Sequence, residues 1–81
     1  MAYRYRSDVL AQLAAHGVVP TAGTSPERVR EYINDLYRYE LRRLRDRLLA
    51  GRVPKPEYYG LVLQMRNRYA VLSRRIPEWT E

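Results

Sequence analysis

From Pro26 to Ala50 apolar side chains recur at Val29, Ile33, Leu36, Tyr37, Leu41, Leu44 and Leu48, mostly in steps of three and four. That spacing places them on one face of a helix with 3.6 residues per turn. Ser25 is suited to cap the first free N–H groups, and Pro26 fits the first helical position, where its missing N–H costs nothing. Gly51 follows as a stop. The pattern therefore predicts a helix over about 26–50.

A second stripe, Tyr58, Leu61, Val62, Met65, Tyr69 and Leu72, predicts a helix over about 56–74. Pro56 and Glu57 mark its start, and Ile76-Pro77 its end, because the residue before proline is pushed out of the helical region. Val9, Leu13 and His16 share a face in a shorter segment over about 8–16, with Ser7 as its expected cap and Gly17 as its stop. A loop over 17–25 and a tail over 76–81 complete the chain.

The expected architecture is all-α and a single small helical domain spanning 1–81. Two long helices form an antiparallel hairpin, joined by the stiff turn GRVPKP (51–56), with the short N-terminal helix packed across it. A chain of 81 residues buries only about 60% of its unfolded surface, so its core is marginal, and with no cysteine no disulfide assists it. Oligomerisation is the remaining common support, and the longer helix overhangs its partner by about 12 Å. A homodimer completing a four-helix bundle is expected on these grounds.

Three local features extend this picture. Gly60, inside the third helix, suggests close approach of another backbone, since glycine there costs about 1 kcal/mol. Tyr59, Leu63 and Ala70 form a second, narrower apolar strip that suits a partner interface. Asp35–Arg38 and Arg42–Asp46 fall at helical ion-pair spacing, and Arg43 lies one turn beyond Tyr39, within stacking reach.

Charge is unevenly distributed. The net is +6, yet residues 1–37 sum to zero. Residues 38–75 hold ten Arg and Lys55 against Glu40, Asp46 and Glu57, a net of +8, and the last six residues return −2. A basic half beside a neutral half is the electrostatic footprint of an anionic partner. Arg also outnumbers Lys fourteen to one, which genome composition or thermal adaptation would equally produce.

Catalytic chemistry is nearly missing. The chain has no Cys/His pair, no HExxH and no Walker loop, and one histidine without cysteine makes no metal site unaided. No enzyme activity, cofactor or metal is expected. His16 reads as a structural polar side chain near a helix end, with a pH-sensitive contact as the alternative. The MAYRYR terminus is either frayed or an aromatic–basic arm able to stack on bases. Trp79 either anchors the tail or serves as a hook for a partner. No uninterrupted apolar run is long enough to cross a bilayer and no clean signal-peptide pattern is present, so a cytoplasmic location is expected.

Two functions follow as expectations. The first is non-enzymatic nucleic-acid binding with little sequence specificity, through Arg38, Arg42, Arg45, Arg52, Lys55, Arg74 and Arg75. The second is a protein-interaction or assembly module using Tyr59, Leu63, Ala70 and Trp79.

Overall fold

A computed structural model describes residues 2–81 as all-helical. The α-helices are α1 (Ser7–Ala14), α2 (Pro26–Leu49) and α3 (Lys55–Arg68), followed by short 3-10 turns at Ala70–Ser73 and Ile76–Glu78. The molecule measures 49 × 18 × 16 Å with a radius of gyration of 14.9 Å. A compact globule of this length has a radius of about 12 Å, so the chain is elongated. At ~1.5 Å per residue α2 supplies about 36 Å of the long axis.

Capping chemistry explains where α2 begins and ends. The Ser25 hydroxyl accepts from the Arg28 N–H at 3.3 Å, and Pro26 occupies the first turn. At the other end Gly51 adopts φ +74°, a conformation that side-chain-bearing residues rarely take. The Gly51 N–H then reaches Leu48 O at 3.0 Å and the Arg52 N–H reaches Arg47 O at 2.9 Å, satisfying two carbonyls the helix leaves free. Gly17, also at φ +74°, closes α1 in the same way, with the Val18 N–H on Leu13 O at 3.0 Å. Ser7 is the first residue of α1 rather than its cap. Arg6 takes the cap position without a side-chain bond.

The core lies towards one end. Val9 and Leu13 of α1, Ile33 of α2, Val71 of the first 3-10 turn and Trp79 are fully buried, with Tyr5, Val29 and Tyr69 around them. α1 makes its principal approach to the Ala70–Ser73 turn, and α2 contacts both that turn and α3. The 3-10 turn at Ala70–Ser73 therefore packs on the stretch of α2 that outruns α3, while Tyr32 on that stretch stays 57% exposed. The two chain ends are tied together. Tyr5 and Thr80 form an isolated antiparallel bridge, flanked by Arg6 N–H to Trp79 O at 3.0 Å and Glu81 N–H to Arg4 O at 2.8 Å. Tyr5 is buried and its hydroxyl donates to Thr24 O at 2.5 Å, so residues 3–6 lie on the domain with contacts on both sides, Met1 lying outside the described residues.

Four expectations change. α3 ends at Arg68, six residues short of position 74, because Tyr69 leaves the helical region (φ −105°, ψ 28°) and the chain tightens into a 3-10 turn. The stripe still works, since Tyr69 and Val71 are buried with Leu72 half-buried, but local periodicity does not reveal the tighter winding. Gly60 is exposed and a Cβ there would meet nothing within 4 Å, so no backbone approaches it. Neither Asp35–Arg38 nor Arg42–Asp46 pairs. The ion pairs among the described residues are Arg4–Glu81, Arg74–Asp8 and Arg75–Glu78. Exposed pairs gain little against solvation and side-chain entropy, which accounts for their absence along α2. Finally, Trp79 is 0% exposed with its indole N–H on Arg74 O at 3.3 Å, so it is core and unavailable to a partner.

Candidate nucleic-acid interface

Beyond Tyr37 the molecule narrows to α2, the 50–54 turn and α3. Met65 borders the same groove as Leu44, while Tyr69 lies against Tyr37 at 4.9 Å between ring centres and bonds Glu40. Residues 38–68 carry nine basic side chains (Arg38, Arg42, Arg43, Arg45, Arg47, Arg52, Lys55, Arg66, Arg68) against Glu40, Asp46 and Glu57. This segment alone holds the chain's whole net charge of +6.

The expected basic residues do not form one site. Arg38, Arg42 and Arg45 are exposed on α2, and Arg52 and Lys55 are exposed at the turn beyond it. None lies within 4.0 Å of a carboxylate among the described residues. Arg74 and Arg75 lie at the opposite end. Arg74 donates to Asp8 at 2.5 Å and to Glu78 O at 3.2 Å, stapling the C-terminal segment onto α1, so it leaves the candidate set. Its guanidinium bond holds the Asp8 carboxyl below the usual range, aided by its charge and by backbone N–H groups and opposed by partial desolvation. Arg75 stays exposed and faces Glu78 at 3.5 Å, at the end of the molecule away from Arg38, Arg42 and Arg45.

Sequence reasoning passed over a second group. Arg43 and Arg47 of α2, one helical turn apart, border a groove of about 200 Å³ with Glu40, Leu44, Met65 and Arg68 of α3. The 43/47 spacing is visible in the sequence, but Arg68 joins them only where α3 contacts α2. Arg43 also sits over the exposed Tyr39 ring, 5.8 Å from its centre, in the stacking arrangement the spacing suggested.

His16 ties this arm to the core. Its ring stacks on Tyr69 at 4.2 Å and 23°, and its Nε2 bonds Arg68 O at 2.7 Å, so it is a structural polar side chain. The Tyr69 hydroxyl donates to the Glu40 carboxylate. Burial, then that bond and the Glu40 charge, push the Tyr69 phenol far above its ordinary range, while the nearby Arg68 charge opposes them.

For the apolar strip, Tyr59 and Leu63 are 63% and 57% exposed, one turn apart on α3, and Ala70 is exposed in the 3-10 turn beyond. All three members of the strip are exposed, while Trp79, the fourth residue of the expected partner interface, lies in the core. No helix among the described residues is long and apolar enough to cross a membrane. Comparison with protein-family models, curated proteins and solved structures returns no match, so the reading of this surface rests on its own geometry.

Proposed function

We propose that this protein is a non-enzymatic module that binds nucleic acid on the α2–α3 arm, mainly through phosphate contacts and with little sequence specificity. In this reading α3 returns antiparallel to α2 as a hairpin whose free end is the binding surface. The observation that carries it is the segregation of charge: the entire net +6 lies in residues 38–68, and Arg38, Arg42, Arg45, Arg52 and Lys55 lack carboxylate partners there. Unpaired guanidinium groups retain their donors for phosphate oxygens. The exposed Tyr39 and Tyr59 offer faces for base stacking on a single strand. Substitution of Arg38, Arg42 and Arg45 by Gln is expected to abolish binding of a labelled oligonucleotide while leaving thermal stability nearly unchanged, since all three are exposed. Unaltered binding would remove them from the site.

A second reading is favoured by Tyr59 and Leu63, large apolar side chains left bare on adjacent turns. Here the arms of two copies pair into a four-helix bundle and the charge provides solubility and steering. Leu63→Glu would then convert a dimer to a folded monomer in sedimentation. A wild-type chain that sediments as a monomer would exclude this reading.

A further inference from the structure

We propose that the groove bordered by Arg43, Arg47 and Arg68 seats one phosphate group, and that Tyr69 keeps the seat open by holding Glu40. This inference rests on the nucleic-acid reading for its biological ligand, and its physical basis is separate. Three arginines and one acid line the groove, over an edge formed by the buried Leu44 and Met65. Glu40 stands three residues before Arg43, an ordinary spacing for a helix ion pair. Even so, it makes no ion pair within 4.0 Å among the described residues, and its carboxylate accepts the Tyr69 hydroxyl instead. Three arginines against one acid give the groove an excess of two positive charges, and an unpaired Glu40 leaves the guanidinium donors free for a ligand.

The adjoining elements support the same geometry. α3 ends at Arg68, and the free carbonyls of a helix C-terminus repel anions. His16 Nε2 occupies the Arg68 carbonyl, which reduces that repulsion. Tyr69 is itself fixed between His16 and Tyr37, so its hydroxyl is a positioned donor rather than a swinging one. A phosphate oxyanion, with several acceptor atoms and a full negative charge, is the ligand that uses three guanidinium groups at once.

The test is an NMR titration of the full chain with inorganic phosphate, following the arginine Nε–H resonances, against sodium chloride at matched ionic strength. The expected result is a saturable shift at Arg43, Arg47 and Arg68 with phosphate only. It should be lost in the variant R43Q/R47Q/R68Q and weakened several-fold in Tyr69→Phe, which frees Glu40 to pair with the arginines. Equal shifts in chloride, or shifts spread evenly over Arg38, Arg42 and Arg45, would overturn the seat. So would a Tyr69→Phe chain that is folded by its amide spectrum and binds phosphate as tightly as wild type.

Single-stranded RNA with and without a 5′-phosphate then identifies the source of the group. A terminal phosphate predicts tighter binding of the phosphorylated strand. A backbone phosphate predicts equal binding, with a salt slope lowered by about 0.7 in the triple variant. RNA binding that persists with a groove silent to both probes would remove the seat alone. A phosphate response without RNA binding at physiological salt would uphold the seat and remove the nucleic-acid reading.

Discussion

The two ends of this molecule are built on different principles. At one end Val9, Leu13, Ile33, Val71 and Trp79 are fully buried and the chain termini are bridged to each other. At the other, among residues 38–68, only Leu44, Val53 and Met65 are buried, yet the whole net charge resides there. Cohesion is concentrated where charge is balanced, and charge where cohesion is thin. Self-repulsion among like charges destabilises a compact structure. A basic surface is best tolerated on helices held by their own caps, as the Ser25 cap and the Gly51 stop hold α2. Tyr69 and His16 are the joint between the two regimes.

The contrast predicts unequal sensitivity to substitution. The largest effect is expected for Trp79→Ala. Loss of a buried tryptophan costs about 3–5 kcal/mol, against a total stability of roughly 4–12 kcal/mol for a chain of this length. Chemical denaturation should show the variant largely unfolded or close to it, while Leu63→Ala on the arm stays within about 0.5 kcal/mol of wild type. Equal losses at the two sites would break the comparison.

Tyr69→Phe should cost less, about 1.5–3 kcal/mol, the value of a hydrogen bond to a charged group. It carries a pH signature. The phenol is raised in the folded state, so its contribution is fully present below the unfolded value near 10 and is lost as pH rises towards the folded value. Wild-type stability should therefore fall above about pH 10, and Tyr69→Phe should flatten that fall. Identical alkaline limbs would mean the joint does not couple core and arm.

Gly60→Ala is expected to stabilise by about 1 kcal/mol, since a helical glycine costs that much and a methyl group there meets only open space. A gain of about 4–8 °C in melting temperature would confirm that arm stability is local helix propensity rather than packing. No gain, or a loss, would point to a partner seated on Gly60.

The smallest effect is at Asp8. Its carboxyl is lowered by Arg74, so its contribution is present above the unfolded value near 3.9 and disappears as pH falls through the folded value. Asp8→Asn should remove that acid-limb slope and change little else. A persistent slope would assign it to another carboxylate.

The sequence patterns conveyed the helices well and the assembly poorly. Ser25-Pro26 and Gly51 bound α2 because capping is local chemistry, legible from a few residues. The end of α3 is not local: Tyr69 departs from helical geometry where its ring meets His16 and Tyr37 and its hydroxyl meets Glu40, residues at least 29 positions away. Trp79 reads first as an anchor for the tail, with a hook as the alternative, and its complete burial where the chain ends pair matches the anchor. The charge asymmetry was visible from composition, but its grouping was not. Arg74 is drawn away by Asp8, and Arg68 comes to the same groove as Arg43 and Arg47 only through the contact of α3 with α2.

The central claim, that the charge of the arm serves nucleic-acid recognition, is tested most directly by binding of labelled single-stranded RNA and duplex DNA across a salt series. Nucleic-acid recognition by the arm requires sub-micromolar affinity near 0.15 M salt, a logarithmic slope corresponding to several phosphate contacts, and a preference for one of the two ligands. Affinity that vanishes for both by about 0.15 M salt would contradict it, because screening would then have erased an interaction with no structural complementarity behind it.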